Sequence, residues 1–383
     1  MSLQFIFGNS GSGKSSYLYR NILKEAAEHP EKNYLVLVPE QFTMQTQREL
    51  VRLEKSHAIM NVDVLSFARL AYRVFDELGK QNLRVLEETG KNLVLRKLAG
   101  EQKKNLSVLG GNLNRMGYIS EVKSVISELT QYNISPDGMD DMITEADESS
   151  YLAWKLKDIQ VMYQAFEEYL ADKYITKEEI LDILCNVMDK SRMLKDSVIA
   201  LDGFTGFTPL QNKVLGEMLQ HCQKVMITVT MDKREDPYVL KDKYQLFALS
   251  KQLVTSLVKI AGEEKVLVEE PVCLYQEPVW RFRNAPALAF LEKELFRYSG
   301  RTYRKKQSNV RVYAAANPRM EVECAAQRIR FLIRKKEYRY REIAVIASDM
   351  NLYADEIENI TRNFRQILAE MKQDGPERVK QTA

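Results

Sequence analysis

The stretch "QFIFGNSGSGKSSYL", residues 4–18, decides the kind of fold that this chain of 383 residues adopts. An apolar run over residues 3–7 predicts a buried strand, and apolar residues at helical spacing over 15–28 predict a helix. The glycine-rich segment between them, residues 8–15, matches the pattern G-x-x-x-x-G-K-[S/T] in full. A strand, a glycine-rich loop and a helix in this order predict an α/β fold with a phosphate-binding loop (P-loop) at the edge of a parallel sheet.

Each residue type in this loop suits the binding of a nucleotide. Glycines let the backbone curl so that its N–H groups point at phosphate oxygens, and the helix N-terminus adds partial positive charge. Lys14 is expected to reach the β- and γ-phosphates, and the Ser15 hydroxyl to bind Mg²⁺. The residues predicted to bind ATP are Gly8, Asn9, Ser10, Gly11, Ser12, Gly13, Lys14 and Ser15.

A metal at this loop needs an acidic partner from a second strand. Asp202 ends the apolar run "VIALD" and is predicted to hold the Mg²⁺ together with Ser15, although an aspartate here is also typical of a turn cap. The next residues are Gly203 and Phe204, so no carboxylate follows Asp202 to activate water. Asp232, at the end of "VTMD", is an alternative group for this task, but its position is more typical of a turn residue. We therefore expect ATP binding with weak hydrolysis and assign no catalytic residue.

The pattern along the chain changes at three places. Residues 1–79 alternate strand and helix as the first part of a P-loop α/β domain, and residues 196–300 resume it as the second part. Between them, residues 80–195 show helical periodicity alone and predict a helical insertion. Residues 301–383 predict a strand, a helix and a strand, then a helical and polar tail from about 361. They begin a second α/β domain without completing it, so we expect a fragment of a longer chain.

Composition excludes several classes of protein. A formal net charge of +3 means that any affinity for nucleic acid must come from local patches. No run of about 18 apolar residues is long enough to span a membrane, and the first residues do not form a secretory signal. We therefore expect a cytoplasmic protein with no membrane partner. The four cysteines form no C-x-x-C pair, which argues against zinc, an iron–sulfur cluster or disulfides in this chain: Cys185, Cys222, Cys273 and Cys324.

Four segments, "FIFGNSGSGKSSYL", "YLVLVPEQFTMQTQREL", "NVDVLSFARLAYRVF" and "VIALDGFTGFTPLQ", resemble the N-terminal part of the AddB family. These are the B subunits of AddAB-type, RecBCD-like helicase–nucleases, which use ATP to resect double-strand DNA breaks for homologous recombination. The resemblance continues to about residue 358. It implies a superfamily 1 helicase-like parallel sheet with an inserted helical subdomain and the start of a second helicase-like domain.

The resemblance also implies a function for the chain. It predicts a heterodimer with a motor and nuclease A subunit, acting on single- and double-stranded DNA ends. Within that enzyme the family member holds ATP without being the motor, which agrees with the missing carboxylate after Asp202. The intact family member carries a Mg²⁺-dependent nuclease domain and an iron–sulfur cluster, neither of which is expected here. Alone, the chain is expected to be inactive or a weak ATPase.

Two loops are candidates for contact with DNA. In superfamily 1 enzymes the loops after the second and third strands face single-stranded DNA, and here they are "PEQFT" (39–43) and "SFARL" (66–70). The resemblance predicts base stacking by the aromatic side chains and phosphate contacts by the polar ones. These residues are Gln41, Phe42, Ser66 and Phe67. The alternative is that both phenylalanines are core residues at helix starts.

Two other functions also fit the loop motif. One is a stand-alone P-loop ATPase or kinase that does not act on DNA, although a kinase is usually smaller and has an arginine-rich lid. The other is a non-enzymatic scaffold in which the nucleotide only stabilises the fold. DNA binding by the purified chain separates the scaffold from the helicase–nuclease component.

Overall fold

The architecture was obtained from a computed structural model. It describes residues 1–80, 84–111, 116–147, 150–171, 173–360 and 362. The chain divides into two compact units, Met1–Thr302 and a second unit that begins at Tyr303. The first unit contains the sheet and the helical insertion.

A parallel sheet of seven strands forms the centre of the first unit. The strands are β1 (Ser2–Gly8), β2 (Asn33–Leu37), β3 (Val62–Leu65), β4 (Ser197–Leu201), β5 (Lys224–Thr230), β6 (Leu267–Val268) and β7 (Val272–Leu274). Their order is β3-β2-β4-β5-β1, and β6 and β7 both pair with the remaining edge of β1. Every residue of β4 is buried, as expected for a strand of a parallel sheet covered on both faces.

Helices of the first unit cover both faces of this sheet. The α-helices described in this unit are α1 (Lys14–Glu28), α2 (Thr43–Leu53), α3 (Phe67–Glu77), α4 (Glu88–Glu101), α5 (Met116–Gln131), α6 (Met139–Glu145), α7 (Tyr151–Leu170), α8 (Glu179–Cys185), α9 (Arg192–Lys195), α10 (Pro209–His221), α11 (Ala248–Glu263) and α12 (Pro286–Glu294). The second unit contains α13 (Pro318–Lys336). Alternation along β1 divides its side chains between two cores. Phe5 and Phe7 belong to the core with α3, α8, α10 and α11, and Ile6 to the core with α1 and α2.

The α/β fold with a parallel sheet and a helical insertion is confirmed. Within the insertion expected over residues 80–195, helices α4 to α7 share a separate core. Helix α8 does not join them. Its residues Ile180 and Leu184 are buried in the core of the sheet, because the apolar face of α8 packs against α3 and α10.

The described part of the second unit differs from the sequence-based expectation. The helix expected there forms as α13, but the flanking segments 308–316 and 343–348 are not strands in the described structure. An extended segment becomes a strand only when a neighbour accepts and donates its backbone hydrogen bonds. The tail helix predicted from 361 lies, apart from residue 362, outside the described residues. No helix in the described ranges combines the length and apolarity that crossing a membrane requires.

Candidate functional site

A cleft of about 610 Å³ opens at the carboxyl ends of β1 and β4. Its walls are the glycine-rich loop, the start of α1, helix α2, the residues after β4, and the exposed pair Trp280 and Arg281. The carboxyl ends of parallel strands are the usual place for ligand sites in α/β sheets. The cleft therefore brings segments from three distant parts of the sequence to one site.

The glycines of the loop are required by its backbone. Gly11 and Gly13 have φ angles of 77° and 96°, in the left-handed region that favours glycine. A Cβ atom on Gly8 would lie 2.4 Å from the Ser12 hydroxyl, and one on Gly11 would lie 2.7 Å from the Arg281 Cβ. The Arg281 N–H also donates to the Gly11 carbonyl at 3.1 Å. The loop is thus tightly curled and held from outside by the segment that carries Arg281.

Lys14 is buried inside the loop. Its Nζ donates to the carbonyl oxygens of Gly8 and Asn9, both at 2.9 Å. Burial lowers the pKa of Lys14 to about 8; the charge of Asp202 opposes this shift, and that of Arg281 adds to it. A negatively charged group placed against the amine would favour its protonated form. The position and electrostatics of Lys14 suit contact with a phosphate.

Asp202 lies beside the loop, as the sequence predicted, although it is 187 residues from Ser15. The Ser15 hydroxyl donates to Asp202 Oδ1 at 3.0 Å, and the Thr228 hydroxyl donates to the same oxygen at 2.5 Å. The Tyr19 hydroxyl donates to Asp202 Oδ2 at 2.6 Å. Asp202 is 7% exposed, and its described side-chain donors are uncharged hydroxyls. A hydroxyl and a carboxylate that forms no ion pair with a described side chain are a donor set that fits Mg²⁺.

Tyr19 extends this hydrogen-bonded group to helix α2. Its hydroxyl lies 3.4 Å from Thr46 Oγ1 as well as bonding to Asp202. Burial, followed by the negative charge of Asp202, raises the pKa of the Tyr19 phenol well above its usual value. The hydroxyl therefore keeps its proton and acts as a donor.

No carboxylate directly follows Asp202, and two carboxylates near the site, those of Asp232 and Glu49, are paired with arginines. Gly203, directly after Asp202, has a φ of 80° and no side chain. Asp232 is bound by the guanidinium groups of Arg234 and Arg297, each at 2.7 Å. Burial alone would raise the pKa of Asp232, but the hydrogen bonds from Arg234 and the nearby arginine charges outweigh it and lower this pKa to about 2. Glu49 lines the cleft, with its carboxylate 2.6 Å from Arg52.

Sequence reasoning missed several residues of this cleft, among them Glu49, Trp280 and Arg281. Glu49 has no motif around it, and its helical position alone does not place it near the loop. Trp280 and Arg281 belong to a segment for which the sequence predicted neither a helix nor a strand. The Trp280 ring is 63% exposed and carries the Arg283 guanidinium 4.2 Å from its centroid. A basic residue beside an exposed tryptophan was the one available signal, because such pairs are typical of nucleotide and nucleic-acid contacts.

The four residues predicted to contact DNA have different surroundings. Gln41 and Phe42 are exposed, and Phe42 also lines the cleft. Ser66 is buried and caps α3, where its hydroxyl accepts from the Arg69 N–H at 3.4 Å. Phe67 is 6% exposed, and its ring packs 5.6 Å from that of Phe204. Phe67 thus occupies the core position that the sequence left open as its alternative.

The two loops nevertheless border one groove. This groove has a volume of about 500 Å³ and lies at the same edge of the sheet. Residues 38–40 and 66–68 line it, together with residues from the segment after β4 and from the expected helical insertion. These are Phe204, Gly206, Thr208, Leu210, Gln211, Gln131, Lys177, Glu178 and Leu181. The structure therefore places the loops after β2 and β3 side by side.

The parallel sheet with its helical insertion defines an α/β protein of helicase-like architecture. The chain belongs to the AddB family, because the family model described as "ADDB, N-terminal" matches residues 5–292.

Three curated relatives are each named as the B subunit of an ATP-dependent helicase/deoxyribonuclease. The protein from Lachnoclostridium phytofermentans is 42% identical over 358 residues, which is 93% of this chain and 31% of the relative. The proteins from Clostridium tetani and Clostridium kluyveri are 33% and 32% identical, each over 95% of this chain and 32% of the relative. The chain thus spans about a third of the length of the curated relatives that it matches.

Proposed function

We propose that this chain is the nucleotide- and DNA-binding N-terminal part of the B subunit of a helicase–deoxyribonuclease. The observation that carries the proposal is the meeting of Ser15 and Asp202 at 3.0 Å beside the buried amine of Lys14. Relatives named as B subunits support a DNA substrate and a partner, the A subunit. In this proposal the assembled heterodimer resects double-strand breaks for homologous recombination in the cytoplasm.

ATP is the proposed ligand of the cleft. The curled loop offers its N–H groups to the phosphates, Lys14 supplies positive charge, and Ser15 and Asp202 hold Mg²⁺, which neutralises phosphate charge when bound. Trp280 offers an exposed ring for the base, and Arg281 a guanidinium near the loop. These groups recognise a nucleoside triphosphate without requiring that it be hydrolysed.

The proposed role in the complex is binding rather than translocation. Gly203 supplies no general base, and the carboxylates of Asp232 and Glu49 are held by arginines. Water activation by a free carboxylate is therefore weak, and the A subunit is the proposed motor. The nuclease domain and iron–sulfur cluster of the intact family member are assigned to no residue of this chain.

The nucleotide proposal is tested with Lys14→Ala. We expect ATP affinity to fall on the order of 100-fold, because charge-assisted contacts to phosphate are lost. Equilibrium titration with a fluorescent ATP analogue measures the effect. Lys24→Ala, which removes an exposed lysine from the same helix, is the matched control and should bind normally. Rapid, DNA-stimulated ATP turnover by the chain alone would contradict the non-motor role.

The DNA proposal is tested with two phenylalanines. Phe42→Ala removes an exposed ring and should weaken binding to single-stranded DNA by about 1–3 kcal/mol without changing thermal stability. Phe67→Ala removes a core ring and should instead lower the free energy of unfolding by about 3 kcal/mol or more. Fluorescence anisotropy and thermal melts separate the two effects. Unchanged DNA affinity in a folded Phe42 variant would remove this loop from the interface.

A further inference from the structure

Tyr19 is a buried residue of α1 that the loop motif does not include. It lies four residues after Ser15, is 5% exposed, and packs its ring in the core between the sheet, α1 and α2. A phenylalanine would fill the same apolar space. What tyrosine adds is a hydroxyl, which donates to Asp202 Oδ2 at 2.6 Å and lies 3.4 Å from Thr46 Oγ1.

The hydrogen bonds of Asp202 differ between its two oxygens. A carboxylate has about four lone-pair positions, two on each oxygen. Oδ1 already accepts from Ser15 and Thr228, which occupies both of its positions. Oδ2 accepts from Tyr19 in the described structure, which leaves one position for another ligand. The direction in which this free lone pair of Oδ2 points depends on how the Tyr19 hydroxyl orients the Asp202 carboxylate.

We propose that Tyr19 is a positioning residue for the metal site, orienting the Asp202 carboxylate so that Oδ2 presents a lone pair to Mg²⁺. This inference rests on the proposed function, because it assumes that Ser15 and Asp202 bind the metal of a nucleotide complex. Groups that hydrogen-bond a metal ligand from outside set its orientation, and losing one typically costs 10- to 100-fold in metal affinity.

The position of Tyr19 supports this role. The alternative is that Asp202 merely provides a hydrogen-bond acceptor for the buried Tyr19 hydroxyl. Thr46 is the nearer neighbour in sequence and belongs to the helix that packs against α1, yet the short bond is to Asp202. Asp202 follows β4, a central strand that β5 separates from β1, the strand before α1. Tyr19 thus joins α1, α2 and β4 at the carboxylate that the metal requires.

Tyr19→Phe tests the inference, with Tyr163→Phe as the matched control. Tyr163 is 3% exposed in the helical insertion, and its hydroxyl likewise lies 3.0 Å from a threonine hydroxyl, that of Thr130. A fluorescent ATP analogue is titrated into the full chain with EDTA, and again at increasing Mg²⁺. We expect Tyr19→Phe to raise the Mg²⁺ concentration for half-maximal enhancement of binding about tenfold. Its metal-free nucleotide affinity should stay within about twofold of wild type.

The outcomes separate this inference from the proposed function. If the wild-type chain shows no Mg²⁺-dependent nucleotide binding, both are overturned. If wild type depends on Mg²⁺ but Tyr19→Phe and Tyr163→Phe have the same Mg²⁺ requirement, only the positioning role is overturned. Circular dichroism checks folding. Should Tyr19→Phe not fold, Tyr19→Met also removes the hydroxyl while a flexible apolar side chain fills the space, and an unchanged Mg²⁺ requirement there overturns the inference.

Discussion

Two aspartates follow neighbouring strands of the sheet and are equally buried, yet their surroundings differ. Asp202 directly follows β4 and Asp232 lies two residues after β5, and each is 7% exposed. Hydroxyl groups surround Asp202, whereas the guanidinium groups of Arg234 and Arg297 neutralise Asp232. A carboxylate held by hydroxyls keeps its charge available for a cation, and one held by arginines does not. The side chains that contact each aspartate, rather than the aspartate itself or its strand, therefore decide whether it is available to a ligand or serves the fold.

The ion pairs of Asp232 extend into a partly buried network. Arg297 also bonds to Glu235 at 2.7 Å, and Glu235 is bound in turn by Lys251 at 2.8 Å. Lys251 lies on α11, and Arg297 follows α12. The network thus joins the residues after β5 to α11 and to the residues after α12, whereas Asp202 forms no ion pair with a described side chain.

Of the two aspartate variants, Asp232→Asn is expected to have the larger effect on stability. Removing one charge from a partly buried network leaves its guanidinium partners without their counter-charge, so the free energy of unfolding should fall by about 3 kcal/mol. Urea denaturation measures this change. Asp182→Asn, which breaks the exposed pair with Lys213, is the control and should cost less than about 1 kcal/mol. Equal losses in the two variants would show that the Asp232 network is not structural.

Asp202→Asn should instead weaken metal binding without lowering stability. The Mg²⁺ requirement for nucleotide binding should rise on the order of 100-fold, because a charged ligand of the metal is lost. Stability should be unchanged or higher, since a buried carboxylate without a cationic partner is costly to the fold. The two aspartate variants are compared by Mg²⁺ titration and by urea denaturation. A strongly destabilised Asp202 variant with normal Mg²⁺ dependence would reverse the assignment of the two residues.

The smallest expected effect is a change with pH in the contribution of Asp232 to the stability of the fold. Its pKa is about 2 in the folded chain, below the ordinary value of 3.8, so its stabilising contribution is present above about pH 4. That contribution is lost as the pH falls from about 4 to 2. The difference in melting temperature between wild type and Asp232→Asn should therefore narrow over this range. A constant difference in thermal melts from about pH 5 to about pH 2 would contradict the lowered pKa.

Local sequence patterns were sufficient for the first-unit elements that carry the site. The run before Gly8, the glycine spacing and the apolar strand before Asp202 predicted strands and a loop that the structure contains. Short strands were missed: β6 and β7 are two and three residues long, too short for a periodic pattern. Pairing with β1 makes these segments strands, so their formation depends on a distant part of the chain.

Helical periodicity did not reveal which core a helix joins. Helix α8 has the same apolar pattern as the helices of the insertion, but it packs on the sheet. Phe42 and Phe67 both stand beside a helix start, yet one is exposed and the other is buried against Phe204. These differences depend on contacts between residues far apart in sequence, which a local pattern does not contain.

By itself, the sequence determined the curled loop, the parallel sheet and the absence of a carboxylate after Asp202, because these depend on residue type and short spacing. The tertiary structure alone decided which groups surround each carboxylate. It brought Tyr19, Thr228 and Ser15 to Asp202, and it paired Asp232 with Arg297 from a distant segment. Hydrogen bonds and ion pairs act over about 3 Å, so they depend on folded positions rather than on order along the chain.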